Sequence, residues 1–406
     1  MPEREVPHDG RGLVLDRLSK VFQRRGNPPV HAVAGIELAV ADGELLGLLG
    51  PSGCGKSTTL RMIAGLEEPT AGDIRIAGRS IVALPPHERN VAVAFENYAL
   101  FPPLTVEENI AFGMRARKEA NPRQRAREVA QRLGISSLLD RKPGGLSSGQ
   151  KQRVSLARAI VRKPSVLLLD EPLSHLDASE REQTRRELKH LQRETGYTTV
   201  LVTHDQHEAL SLADRIAVMD AGIFKQIGTP DEVYDAPANL FVADFVGEPR
   251  MNLLEGVLVP SGDGQGLVHL SGEAKLALPA LAAGVVDSER KVTVGIRPQD
   301  VRLGRPDEDN ALPATVFAYE PLQEVGRLTL TLPGVETRVV VETHHDFSAT
   351  PGDVLGLSFN PARTHIFDTE SGDRLAWSLT STPPAPSRRA PRCTPPPSPP
   401  ARSARE

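Results

Sequence analysis

Nine consecutive residues, Gly50, Pro51, Ser52, Gly53, Cys54, Gly55, Lys56, Ser57 and Thr58, have the types and spacing of a phosphate cradle. Glycines let such a loop turn its N–H groups inward round an anion, and a helix starting there adds the positive end of its dipole. Lys56 can reach the β- and γ-phosphates of a nucleotide, and Ser57 can offer a hydroxyl to Mg2+. The motif alone specifies nucleoside-triphosphate binding and nothing finer; a glycine-rich turn without a ligand is the alternative. Asp170, which ends the apolar run "SVLLLD", can hold Mg2+, and Glu171 after it can polarise an attacking water. His204 ends a third run, "TTVLVTH", and can donate to a γ-phosphate. A lone histidine or an acid pair at a strand end is ordinarily structural; the complete cradle upstream changes that balance. A second Gly/Ser loop, "LSSGQ" (146–150), raises the question of why one enzyme should carry two phosphate binders.

Three elements must position these groups. "ELLGLLG" (44–50), "SVLLLDE" (165–171) and "TTVLVTHD" (198–205) each read as a buried strand with polar residues at its C-terminal end, where open α/β sheets bind ligands. Residues 12 to about 250 therefore predict a mostly parallel α/β sheet. Within it, about 97–155 predicts a helical insertion, with Ala126, Val129, Ala130 and Leu133 on one helix face. From about 246 to 380, short alternating runs ("KVTVGIRPQDVRL", "RLTLTL", "TRVVVET", "DVLGLSF") predict a small β-barrel. The Pro/Arg-rich stretch 381–406 has almost nothing to bury and is expected to be disordered.

A net charge of −4 with 25 % charged residues gives no reason to expect a nucleic-acid partner. No stretch approaches the length of about 20 apolar residues that spans a membrane, and the N-terminus lacks an apolar signal core. Two cysteines, Cys54 and Cys393, make no disulfide framework. The chain is expected in the cytoplasm, with any membrane role through a partner.

The run "LSSGQKQRVSLARAIVRKPSVLLLDEPLSHLD" (146–177), in the order cradle, signature, D-E, S-x-L-D and histidine, resembles the ATP-binding cassette (ABC) ATPases. The resemblance implies ATP and Mg2+ as cofactors and two domains packed head to tail, each ATP held by one cradle and the other domain's signature. Ser147, Gly149 and Gln150 would then serve the neighbour's nucleotide, in a homodimer or a pair with a similar ATPase. It also implies that Phe22 stacks on adenine, with a core phenylalanine as the alternative, and that Asp177 signals across the pair. "NYALFPPLTV" (97–106) would form, through Tyr98, Leu100, Phe101 and Leu104, the dock for a membrane-spanning permease subunit. "FVGEPRMNLLEG" (245–256) resembles the junction of the sugar-importer branch, of the maltose and glycerol-phosphate type, into its C-terminal OB-like (TOBE) barrel. The implied activity is ATP hydrolysis coupled to sugar or polyol uptake at the cytoplasmic membrane face, with an extracytoplasmic solute-binding protein acting indirectly. The barrel would add dimer contacts or regulation, or only packing.

Two residues depart from the family pattern. Glu96 stands in place of the usual glutamine, either as a metal-side ligand that makes ATP binding more dependent on Mg2+ or as a benign near-isostere. Ser148 replaces a signature glycine, which a negative φ tolerates. An importer ATPase for iron, sulfate or polyamine, a regulatory binding protein with weak turnover, and a non-transport ABC protein are the alternative readings.

Overall fold

A computed structural model describes residues 12–375 except 24–25, 27, 261–264, 271–273, 281–287 and 309–310; the expected tail at 381–406, Cys393 and the last residues expected in the barrel lie outside the described residues. The first elements are β1 (Leu13–Phe22), β2 (Val30–Val40), β3 (Leu45–Leu49), α1 (Lys56–Ala64), β4 (Ala71–Ile76), β5 (Arg79–Ser80) and β6 (Val91–Ala94). There follow α2 (Val106–Ala116), α3 (Pro122–Arg132), α4 (Ser148–Ile160), β7 (Val166–Asp170), α5 (Ala178–Thr195), β8 (Thr198–Thr203) and α6 (Gln206–Leu212). β9 (Arg215–Asp220), β10 (Ile223–Gly228), α7 (Pro230–Asp235) and α8 (Leu240–Phe245) complete this part.

Six strands form one sheet in the order β10-β9-β3-β8-β7-β6, parallel except for β10. Its central strands β3 and β8 are buried throughout because both faces are covered. Leu46, Leu48, Leu168, Val200 and Val202 enter a core shared with β1, β2, β4 and α1. Leu45, Leu49, Leu167, Leu169 and Leu201 alternate to the opposite face, against α4, α5 and α6. The expectation of one mostly parallel sheet over 12–250 needs correction: β2-β1-β4-β5 form a separate antiparallel sheet. β1 and β2 hide one face on the first core and leave much of the other accessible, the mixed pattern of a half-covered antiparallel sheet.

α2, α3 and α4 make a third core from Val106, Ile110, Met114, Ala126, Ala130, Val154 and Val161, with Val129 and Leu133 packed on it. The predicted face of α3 thus points inward, and α4 continues to Ile160, beyond the expected limit of 155. Buried Asn109 ties the entry loop to this unit: its side chain accepts from the N–H of Phe101 and donates to the carbonyls of Phe101, Leu104 and Thr105.

The remaining strands are β11 (Asn252–Pro260), β12 (Gln265–Leu270), β13 (Lys275–Ala280), β14 (Arg290–Ile296), β15 (Val301–Gly304), β16 (Leu312–Pro321), β17 (Val325–Thr331), β18 (Val339–His344), β19 (Val354–Phe359) and β20 (His365–Asp368). They pair as two antiparallel five-stranded sheets, β13-β12-β11-β14-β20 and β15-β19-β16-β17-β18, round one apolar core. Arg297 joins this unit to the α/β half. It is 2 % exposed, donates to the carbonyls of Val246 and Tyr234, and lies 4.0 Å from the Tyr234 ring centre. Burial holds its guanidinium below the usual arginine value. Arg297→Ala should lower unfolding stability by about 2–4 kcal/mol through loss of two charge-assisted hydrogen bonds, and Lys should not restore it. Chemical denaturation checks this; an unchanged midpoint would show that the link contributes little.

Candidate functional site: a strand-end phosphate site and a second capped loop

Register brings the expected residues to one edge. Leu49 lies opposite Thr203, Leu201 opposite Leu169, and Leu169 opposite Ala94. Asp170, the last residue of β7, and the residues that follow the other strands, Gly50, His204 and Phe95–Glu96, therefore gather at the C-terminal edge of the sheet.

The cradle spans the gap from β3 to α1. A Cβ at Gly50 would collide with the Met219 carbonyl, and Gly55 takes φ 113° with the Ala32 carbonyl in the way of any Cβ, so both must be glycine. Lys56 is buried, and its ammonium donates to the carbonyls of Gly50 (2.7 Å) and Pro51 (2.8 Å). A phosphate can exchange for those neutral acceptors, since α1 starts at Lys56 and leaves its first N–H groups pointing into the loop. Cys54 is buried beneath the loop, and burial raises its thiol above the usual value despite Lys56 nearby.

Acidic groups face this cradle. Burial raises the Asp170 carboxyl, Glu171 and Glu96 push it further, and Arg61 and Lys56 oppose them only in part. Carboxylates gathered this way suit a divalent cation, and Ser57, Asp170 and Glu96 are the residues that would hold Mg2+. Glu171 has φ 45°, a left-handed conformation that costs a non-glycine residue roughly 1–2 kcal/mol and is held by its N–H donating to the Val202 carbonyl at 2.9 Å. Its Oε2 lies 3.0 Å from His204 Nδ1. Glu96 is exposed, with Oε1 3.5 Å from His175 Nε2. Phe22 ends β1 half-buried, with the Lys20 ammonium 4.9 Å over its ring, and is not among the residues packed into the core beneath.

The second loop is built differently, as the start of α4. Ser147 accepts from Gln150 N–H at 3.3 Å, and Gln150 Oε1 accepts from Ser147 N–H at 3.1 Å, a reciprocal cap. The Ser147 hydroxyl retains its proton for an external acceptor. Ser148 is the first residue of α4 and is not among the positive-φ residues, so its replacement of glycine is without strain. Gly149 is buried, and Asp177 caps α5 by accepting from Glu180 N–H at 2.8 Å.

Comparison with known proteins shows the family of the chain. Residues 33–174 match the family described as ABC transporter, 247–301 the MalK OB fold domain and 294–367 the TOBE domain. A xylose/arabinose import ATP-binding protein of Haloferax volcanii is 46 % identical over 89 % of this chain and 95 % of its own. An sn-glycerol-3-phosphate import ATP-binding protein of Salmonella paratyphi A is 44 % identical over 90 % and 99 %. A trehalose/maltose import ATP-binding protein of Thermococcus litoralis is 45 % identical over the same shares. The chain belongs to the ABC transporter family.

In this ABC ATPase the segment after Glu96 is held by a residue that the sequence reading did not single out. Arg158 of α4 donates to the carbonyls of Tyr98 (2.9 Å) and Ala99, two residues in left-handed conformation, and lies 5.8 Å from the Phe101 ring centre. Arg158 thereby ties the second loop's helix to the segment of the expected dock. The four expected docking residues do not form one patch. Leu100 packs into the helical core, Leu104 and Tyr98 are half-buried, and Phe101 is 38 % exposed. Its partner is Phe112, 43 % exposed at 4.4 Å between ring centres. An i, i+11 pair across a loop and a helix carries no periodic signal. Among the described residues, no helix is long and apolar enough to cross a membrane.

Glu208 was also missed. It is 2 % exposed, accepts from the Thr203 hydroxyl at 2.8 Å and lies among Asp205, Arg181 and His204. The same hydroxyl accepts from Asp205 N–H, so the turn carrying His204 hangs on this pair. Burial raises the Glu208 carboxyl from 4.5 to about 7. A carboxyl raised on folding contributes stability that is complete below its unfolded value and is lost as pH rises through its folded one. Glu208→Gln should therefore remove a fall in stability between pH 4.5 and about 7 that the unmodified protein shows. Parallel denaturation series check this, and identical slopes for the two proteins would contradict it.

Proposed function

We propose that this chain is the ATP-hydrolysing subunit of an importer for a sugar or polyol, working at the cytoplasmic face of the membrane with permease subunits. The observation that carries this is the division of labour between two phosphate-binding features. One lies at the strand edge with the acids and His204; the other is the exposed, capped start of α4, joined through Arg158 to the exposed Phe101–Phe112 pair. Similarity to three sugar and glycerol-phosphate import proteins supports the solute class.

On this reading ATP lies on the cradle with its adenine against Phe22. Lys56 exchanges its two carbonyl contacts for β- and γ-phosphate oxygens, and the N–H groups of residues 53–58 surround them. Ser57 and Asp170, with Glu96, would hold Mg2+, which supplies charge neutralisation on the phosphates. Glu171 accepts the proton of the attacking water, oriented by His204, whose second ring nitrogen remains for the γ-phosphate. Ser147, Gly149 and Gln150 of a second copy, or of a similar ATPase, close over the same γ-phosphate with the α4 dipole behind them. Asp177 lies beyond them at the start of α5. Binding closes the pair and product release opens it, and the Arg158 link passes that motion to the dock.

Reconstitution with the membrane subunits in proteoliposomes tests this reading. ATP hydrolysis should rise when the permease is present, and Phe101→Asp or Phe112→Asp should abolish the rise while leaving basal hydrolysis intact. Stimulation that survives both substitutions would remove the proposed dock, and no stimulation of the unmodified chain would remove the transport reading. For Glu96, the Mg2+ dependence of ATP binding should become shallower in Glu96→Gln, because a carboxylate repels triphosphate until the metal is present. An unchanged Mg2+ titration would assign Glu96 a neutral, glutamine-like role.

A further inference from the structure

One group of side chains outside the nucleotide site has the chemistry of a metal centre. His344 ends β18 in the C-terminal unit, and His345 and Asp346 form the turn that follows it. Among the described residues, no other trio of histidine, cysteine and acidic side chains brings its ligand atoms so close, all within 4.8 Å of one another. His344 Nδ1 is 3.1 Å from Asp346 Oδ2, and His345 Nε2 is 2.8 Å from Asp346 Oδ1. The backbone N–H of Asp346 lies 3.5 Å from the same His344 Nδ1.

The turn is anchored below. Phe347 N–H donates to the His344 carbonyl at 3.0 Å, the Tyr319 hydroxyl donates to the Phe347 carbonyl, and the two rings meet edge to face at 6.0 Å. Phe347 and Ala349 pack on the barrel core. The three ligand side chains, by contrast, are all more than half exposed, so an ion can reach them from solvent. We propose that His344, His345 and Asp346 bind a divalent transition-metal ion of the zinc class on the barrel. Two imidazoles and one carboxylate disfavour Mg2+ and Ca2+, which take oxygen ligands. Three protein ligands with a water in the fourth position make an open tetrahedral Zn2+ centre. Bonds of about 2.0–2.1 Å in such a centre set ligand separations of about 3.3 Å, so small side-chain adjustments complete it. The site shares no residue with the nucleotide site and does not depend on how the latter is read.

The test is Zn2+ titration of the full chain, free of nucleotide and Mg2+, by calorimetry, with Co2+ as a spectroscopic substitute. The unmodified protein should bind one Zn2+ saturably at this turn, and the Co2+ form should show the visible absorption of a tetrahedral centre. His344→Ala, His345→Ala and Asp346→Asn should each weaken that event by about tenfold or more, as losses around a metal do. His87→Ala, at another exposed histidine paired with an acid, should leave it unchanged. Thermal unfolding of each variant without metal keeps loss of binding separate from loss of fold. Absence of saturable Zn2+ uptake, or uptake unaffected by His345→Ala in a folded protein, would overturn the proposal.

Discussion

The functional half of the molecule depends on parallel pairing in one register. Leu49 opposite Thr203, and Leu169 opposite both Leu201 and Ala94, align four strand ends from widely separated parts of the chain. Since a slip of one residue turns every side chain to the other face, the buried leucines alternating between two cores hold the alignment. The cradle, the acid pair, His204 and Glu96 all inherit their places from it. A binding site at the strand ends thus follows from hydrophobic packing deep in the sheet.

That edge gathers charge which the sheet itself does not neutralise. Burial, Glu171 and Glu96 raise the cost of ionising Asp170, while Lys56 gives its hydrogen bonds to neutral carbonyls. The left-handed Glu171 adds backbone strain at the same place. Nucleotide with its cation supplies what these groups lack: negative oxygens for Lys56 and positive charge for the carboxylates. The site is poised for a ligand of mixed charge, which is the chemical character of Mg-ATP.

How much of this could be read from the chain alone differs by region, for physical reasons. β3, β7 and β8 are apolar runs with polar ends, a pattern visible without structure, and the α3 face repeats every three to four residues. β1, β2 and β4 carry a mixed pattern because only one face is covered, and so were not distinguished from the parallel sheet. In the barrel, β14, β15, β17, β18 and β19 coincide with alternating runs, whereas β16 contains Pro313 and ends on Pro321, and β11 reads as a continuation of the preceding junction. Arg158, Phe112, His175 and Glu208 escaped because their partners lie in other elements. Long-range pairs of single side chains leave no mark in local spacing.

The central claim is that "LSSGQ" acts on the nucleotide of a neighbouring subunit. The most direct measurement is the mass in solution, by light scattering, of Glu171→Gln with and without Mg-ATP. Slowing hydrolysis should trap the closed pair, so the account predicts a monomer that becomes a dimer only with Mg-ATP, and reverts to monomer when Ser147→Arg is added. A protein that binds ATP yet keeps the monomer mass, or an ATP-dependent dimer indifferent to Ser147→Arg, would contradict it.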